Sequence, residues 1–291
     1  MAADYIDLHS HSTASDGTFA PAEVAQLARR AGLAGWGLTD HDTSVGLVEA
    51  REESRKLGIE FVPGIEISCV YPKPGTMHLL GYCVDPASPV LADMSRQLIE
   101  FRDTRNPKII ARLQELGISI TMEEVERESG GQVVGRPHIA SVLVRKGYSS
   151  SIKQAFDKYL GQGGAAYFDK ERLPARQAFD RVRKSGGLVV LAHPIQLCTE
   201  NDAQLERIVK DLVDMGLDGI EVMHSDHTPD LVEKYLKLAD RYGLLKTGGS
   251  DFHGNNKKEI ELGFANKQRV PRQFMDQLLA RSRWHGHPAH V

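Results

Sequence analysis

The chain has 291 residues, 41% of them hydrophobic, 26% charged and 7% aromatic, with a formal net charge of −3. This composition suits a soluble globular enzyme with a sizeable core and excludes a disordered or fibrous chain. The near-neutral charge excludes a general nucleic-acid coat, so an anionic substrate would have to be attracted by local positive charge or by metal ions. No apolar run reaches about 18 residues, and the N-terminus lacks the basic start and apolar stretch of a signal peptide, so a cytoplasmic protein with no membrane partner is expected. Cys69, Cys83 and Cys198 are too few and too widely spaced for a disulfide framework or a zinc finger.

Tyr5 to Leu8 reads as a strand that ends in His9-Ser10-His11, with Asp16 five residues on. Pro21 to Arg30 reads as a helix with Pro at its start and Gly32 past its end. The strand Gly35 to Thr39 runs into Asp40-His41-Asp42. A helix from about Ser44 to Leu57 is closed by Gly58, and Ile59 to Val62 leads through Pro63-Gly64 to Ile65-Glu66-Ile67. Met77 to Val84 is a further strand with His78 near its start. This β-then-α rhythm predicts a largely parallel sheet.

From about Pro89 to Gly164 the periodicity turns helical, with helices at Leu91 to Leu116, Met122 to Glu128, Pro137 to Val144 and Ser151 to Leu160. Ser129-Gly130-Gly131 and Gly161-Gln162-Gly163-Gly164 punctuate it. The expected organisation is therefore an α/β unit of residues 1–88 and 165–291 carrying a helical insert of residues 89–164. The rhythm then resumes with the helix Pro174 to Ser185 and the strand Leu188 to Ala192, which runs into His193-Pro194. It continues with a helix near Asp202 to Met215, the strand Gly219 to Met223, the helix Pro229 to Tyr242, and the strand Leu244 to Thr247 before Ser250-Asp251-Phe252-His253. Seven or so strands fit a barrel better than a short open sheet. The tail histidines His285, His287 and His290 read as a solvated end.

Residues two apart on a strand point the same way, so His9 and His11 offer two imidazoles to one point, as metal ligands must. His9, His11, Asp16, Asp40, His41, Glu66, His193, Asp251 and His253 all lie where a strand passes into a loop. In a β/α barrel such ends share one rim, so residues distant in sequence converge on one pocket. A divalent metal site is the expectation. Its chemistry would be hydrolysis at phosphorus, in which a water bridging two cations loses a proton near neutral pH while the cations neutralise phosphoryl charge. Asp40 and Asp42 are expected to orient the histidines. His224, ending a strand on the same rim, is a candidate to donate a proton to the leaving oxygen or to position substrate.

His9-x-His11, Asp16, Thr39-Asp40-His41-Asp42, Gly64-Ile65-Glu66, His78, Ala192-His193-Pro194 and Ser250-Asp251-Phe252-His253 together resemble the ordered motif set of the PHP (polymerase and histidinol phosphatase) family. The similarity covers almost the whole chain. It implies a distorted (β/α)7-type barrel with two or three metals, manganese, iron or zinc. By motif, His9, His11, Glu66 and Asp251 would hold the first metal. Glu66 would be shared with a second completed by His78 and His193, and Asp16, His41 and His253 would hold a third. Asp16 stands where other members often have His, and this harder ligand tilts the expectation toward manganese. Within the family, the insert and Asp16 resemble 3′,5′-nucleoside bisphosphate phosphatases and short-RNA 5′-to-3′ exoribonucleases.

The insert carries candidate substrate contacts. Arg102, Arg105 and Asn106 share one helix face and can point at one anion. Gly135-Arg136-Pro137-His138 opens a helix, where backbone approaches a ligand closely and phosphate is attracted. It also resembles a motif of that branch. The expected activity is removal of the 3′-phosphate from 3′,5′-bisphosphorylated nucleosides, with Glu66 and Asp251 at the centre of the chemistry. Exonucleolysis of short RNA is the alternative, with histidinol phosphate hydrolysis third. A non-enzymatic regulator is disfavoured because every expected ligand is present, and no obligate protein partner is evident.

Overall fold

The computed structural model describes residues 4–72, 74–129 and 133–282. The tail histidines His285, His287 and His290, and Gly130 and Gly131 of the insert's loop, lie outside the described residues. Eight strands form one sheet: β1 (Tyr5–Asp7), β2 (Gly35–Leu38), β3 (Glu60–Cys69), β4 (Met77–Tyr82), β5 (Leu188–Leu191), β6 (Gly219–Met223), β7 (Leu245–Gly248) and β8 (Val270–Pro271), in the order β7-β6-β5-β4-β3-β2-β1-β8. β1 and β7 meet beyond their pairing ladders. Leu8 N–H donates to Gly248 O at 3.1 Å, Asp251 N–H to His9 O at 2.9 Å, and His11 N–H to Phe252 O at 2.9 Å. Seven strands thus close into a distorted barrel, and β8 pairs antiparallel with β1 beside the seam.

The sheet is less parallel than the β-then-α rhythm predicts. β4 runs antiparallel to both β3 and β5. The physical reason is visible in the chain: a parallel return needs a crossover of a dozen or more residues, and only seven separate Cys69 from Met77. The segments on either side of Pro63-Gly64 form the single strand β3, whose Gly64 packs against Thr39 and against the Gly81 carbonyl on β4.

Helices cover the barrel: α1 (Pro21–Arg30), α2 (Leu47–Leu57), α7 (Ala175–Lys184), α8 (Asp202–Asp214), α9 (Pro229–Tyr242) and α10 (Gln273–Arg281). Among the described residues, no helix is long and apolar enough to cross a membrane. Between β4 and α7 stand α3 (Pro89–Glu115), α4 (Met122–Glu128), α5 (Arg136–Arg145) and α6 (Ile152–Ala155), the last running into a π-helical turn, Phe156–Leu160. The 27-residue α3 serves two cores. Leu91, Met94 and Leu98 belong to the barrel's apolar cluster, while Ile109, Ile110 and Leu113 belong to a second one with Ile139, Leu143 and Leu160. Between these two apolar stretches the buried face of α3 becomes polar, at Arg102, Arg105 and Asn106.

Candidate metal centre

Loops after β1, β2, β5 and β7 bring His9, His11, Asp16, His41, His193, Asp251 and His253 to one place, where they meet His78 at the start of the antiparallel β4 and Glu66, the hub, which lies within β3 and not at a strand end as expected. Its Oε1 lies 2.7 Å from His78 Nδ1 and 2.8 Å from His193 Nε2. Its Oε2 lies 2.9 Å from His41 Nδ1 and 3.3 Å from both His9 Nε2 and His11 Nε2. Asp251 Oδ1 stands 3.1 Å from His11 Nε2 and 3.5 Å from His9 Nε2. On the far side, Asp16 Oδ1 is 3.3 Å from His253 Nε2. His9, His11 and Glu66 are fully buried, and Asp16, His193, Asp251 and His253 are nearly so. The backbone pays for this placement: Asp42, His193 and Asp251 all have positive φ, a conformation worth about 1–3 kcal/mol each for a non-glycine residue.

The donor set fits divalent cations. Ligand atoms fall within 4.8 Å of one another in the groups His9-His11-Glu66-Asp251, His11-Asp16-His41-His253 and His41-Glu66-His78. Both ring nitrogens of His11, and Nδ1 of His41 and of His193, are buried without a hydrogen-bond partner. Such orphaned nitrogens are costly unless something electropositive meets them. Charge gives the same picture. Burial opposes ionisation of Glu66 and Asp251, yet His41, His78 and His9 around the first, and Lys257 and His253 around the second, hold both carboxyls well below their usual range. Burial presses His11 toward neutrality, but the Asp251 and Glu66 carboxylates beside its ring carry it up to about 9. A bound cation would take over the role of those protons.

Orientation comes from residues that the sequence did not single out for it. Glu221 Oε1 lies 2.9 Å from His9 Nδ1, and its Oε2 accepts the His193 N–H at 2.8 Å. With Nδ1–H engaged there, the His9 Nε2 lone pair faces Glu66 and Asp251. Asp7 accepts the backbone N–H groups of His9, Ser250 and Gly263 at 3.1, 3.0 and 2.7 Å, tying both sides of the barrel seam together. Asp40 and Asp42 do not orient imidazoles as expected. Asp40 instead accepts from Ser12 and Ser15, bracing the loop before Asp16, and Asp42 accepts from Ser68, Arg102 and Lys170. His224 Nδ1 accepts the Asp226 N–H at 3.0 Å, which leaves the ring proton of the neutral form on Nε2, 3.4 Å from Asp251 Oδ2. Lys257 Nζ approaches the same oxygen at 2.5 Å.

Beside the ligand cluster lies a buried group of cations. Arg102 donates to Asp42 Oδ2 through Nε at 3.1 Å and Nη2 at 2.5 Å, and Lys170 donates to the same oxygen and, at 2.9 Å, to Ser68 Oγ. Arg105 turns both Nε and Nη2 to Asn106 Oδ1, and Asn106 in turn donates to the Val134 carbonyl. Arg136 donates to Leu160 O at 3.0 Å, with its guanidinium over the Phe156 and Tyr167 rings. Gly135 N–H donates to His138 Nδ1 at 3.0 Å. Arg172 pairs with Asp169 at 2.6 Å. Burial and then repulsion from Arg102 push Arg105 down, and Lys170 down to about 7, with Asp42 opposing both. Positive charge here exceeds the carboxylate charge in contact with it, as an anion-holding site requires. Lys170 and Arg172 escape sequence reasoning because their segment, between the insert and α7, is irregular and carries no periodicity.

The model of the PHP domain matches residues 7–184. Three curated relatives align over most of their own length. A phosphoribosyl 1,2-cyclic phosphate 1,2-diphosphodiesterase of Eggerthella lenta is 35% identical, over 91% of this chain and 98% of its own. A 3′,5′-nucleoside bisphosphate phosphatase of Chromobacterium violaceum is 34% identical, over 89% and 90%. A 5′-3′ exoribonuclease of Escherichia coli is 34% identical, over 85% and 84%. Among solved structures, an amidohydrolase from Chromobacterium violaceum superposes with a TM-score of 0.84 at 32% identity, covering 96% of this chain and 97% of that one.

Proposed function

The chain belongs to the PHP domain family of metal-dependent phosphoesterases, and we propose that it removes the 3′-phosphate of 3′,5′-bisphosphorylated nucleosides to leave 5′-nucleotides. The observation that carries this reading is the pairing of two anion-holding centres, the ligand cluster around Glu66 and the buried cations around Asp42, on adjacent residues of the same loops. A substrate with two phosphates uses both; a simple monoester leaves the second idle. His9, His11, Glu66 and Asp251 would hold one ion, Glu66, His78 and His193 a second, and Asp16, His41 and His253 a third, with manganese suited to the mixed nitrogen and oxygen donors. When bound, such ions lower the pKa of a water and neutralise charge on the phosphoryl oxygens.

The protein's own groups set the geometry. Glu221 fixes the His9 tautomer, and His224 steadies Asp251 through Nε2. The insert of residues 89–164 supplies Arg102, Arg105 and Arg136, and the segment after it supplies Lys170 and Arg172, to hold the phosphate that does not react. Gly135 and His138 open α5 next to Arg102 and Asp16: a Cβ at Gly135 would stand 3.5 Å from Arg102 Nη1 and 3.8 Å from Asp16 Cβ.

A 5′-to-3′ exoribonuclease breaks the same bond, between the 3′ oxygen and phosphorus, with a further nucleoside on that phosphate, and one relative of equal identity is named for that activity. A product assay separates the readings. Manganese-loaded protein is given a 3′,5′-bisphosphonucleoside and, separately, a 5′-phosphorylated RNA oligomer; the larger kcat/KM is expected on the bisphosphate, and the reverse order would transfer the assignment to RNA. Chelation should abolish hydrolysis of both and added manganese should restore it. Full activity of metal-free protein would refute the metal-centre reading.

A further inference from the structure

The ligand cluster forms the floor of a cavity of about 830 Å³ whose wall on the insert side sets four apolar side chains, Pro137 and Val144 of α5, Ile152 of α6, and Phe156, beside Ser150, Ser151 and Lys153. All four are half-buried, so each keeps a face toward the cavity. A phosphoesterase site has no use for hydrocarbon at the reacting phosphate, and the opposite wall is polar, with Asn255, Asn256 and Lys257. The wall therefore matches some apolar part of the substrate, held next to a phosphate.

Phe156 stands out within it. The ring opens the π-helical turn, where Gly161 N–H donates to Phe156 O, five residues back, at 2.7 Å. Such wide turns are energetically second-best and are found where a side chain must be aimed. The same ring lies 5.8 Å from the Arg136 guanidinium carbon, so it belongs to the edge of the cation cluster and to the cavity at once. A group stacked on it is flanked by the anion-holding cations and by the ligand floor. In a nucleoside carrying phosphates at its 3′ and 5′ positions, the group that presents a flat apolar face is the base, carried on the sugar that joins the two phosphates.

We infer that Phe156, backed by Ile152, Val144 and Pro137, is the stacking platform for the substrate's nucleobase, and that it makes the site selective for nucleotides over sugar phosphates. Base–aromatic stacking tolerates any base, so selectivity for the presence of a base, without strong preference among bases, is expected. The inference rests on the nucleotide reading above, and its test is built to fail separately from it.

The test compares a 3′,5′-bisphosphonucleoside with the matching abasic 1,2-dideoxyribose 3,5-bisphosphate, on wild-type protein and on Phe156→Leu and Phe156→Trp. Leucine keeps the apolar contact with the insert's core and removes the aromatic face, including the part that lies 5.8 Å from the Arg136 guanidinium carbon. Wild type should favour the nucleoside roughly 10- to 100-fold in kcat/KM. Phe156→Leu should lose most of that preference, with a much larger loss on the nucleoside than on the abasic substrate, and Phe156→Trp should retain it. Equal wild-type turnover of both substrates, or equal losses on both in Phe156→Leu, would overturn the platform while leaving the bisphosphatase assignment standing. Turnover of neither substrate by wild type would overturn both together.

Discussion

Glu66→Gln should reduce turnover by several orders of magnitude while the protein remains folded. Glu66 sends one oxygen to His78 and His193 and the other to His9, His11 and His41, so a single carboxylate serves two neighbouring groups of ligands. An amide of the same volume keeps the packing but removes the charge and turns one of the two acceptors into a donor aimed at imidazoles. Asp251→Asn should act in the same way from the other side of His9 and His11. The measurement is kcat on the bisphosphonucleoside at saturating manganese, alongside circular dichroism and bound-metal content. Loss of a bound ion with retained secondary structure is expected for either variant. Turnover above about a tenth of wild type, equivalent to roughly 1.4 kcal/mol of barrier, would remove the residue from the role assigned to it.

Lys170→Met should lose roughly 10- to 100-fold in kcat/KM on the 3′,5′-bisphosphate and little on the 3′-monophosphate. The range follows from about 1.5 to 3 kcal/mol for a hydrogen bond to a charged group. Arg136, the obvious candidate from the sequence, is the weaker choice for this experiment, because its guanidinium is engaged with Leu160 O and packed on two rings. Equal losses on both substrates would show that Lys170 supports Asp42 and the loop rather than an anion.

The same cluster gives a pH dependence of definite sign. Lys170, lowered to about 7, is charged below that value and loses its charge as pH rises through it, while the Arg105 guanidinium stays charged throughout. An anion brought against Lys170 favours the charged form, so its binding takes up a proton. KM for the bisphosphate should therefore climb between about pH 7 and 8, while KM for the 3′-monophosphate stays level over the same interval. A flat bisphosphate profile there would mean that Lys170 is not facing the substrate.

The ligands were legible because strand pleat and strand ends are both properties of local sequence. His9-x-His11 announces itself by spacing, and His41, His193, Asp251 and His253 as candidate ligands share the address where an apolar run stops, whereas Glu66 and His78 lie inside β3 and β4. The cation cluster was only half legible. Arg102, Arg105 and Asn106 stand at helical spacing on α3, whereas Lys170 and Arg172 come from an irregular segment and reach the same place only through the tertiary fold. Glu221 is an acidic residue in a strand with buried residues on both faces, and nothing local says that His9 waits beside it. The antiparallel β4 was readable from the shortness of its connection to β3. Helix α10 carries Phe274, Met275, Leu278 and Leu279 at helical spacing and was equally open to discovery, but β8 is a two-residue strand with no alternation to read.

The barrel seam between β1 and β7 has a consequence for the life of the chain. His9 and His11 are made some 240 residues ahead of Asp251 and His253, the candidate ligands across the seam, which follow about 12 to 50 s behind at ordinary rates of elongation. Until the strand before Ser250 emerges, Leu8 and His9 have no backbone partner on that side, and the imidazoles lack a carboxylate they are built around. Contacts this distant in sequence form late and slowly. A nascent or truncated chain that has not been extended past Asp251 and His253 is therefore a poor phosphoesterase.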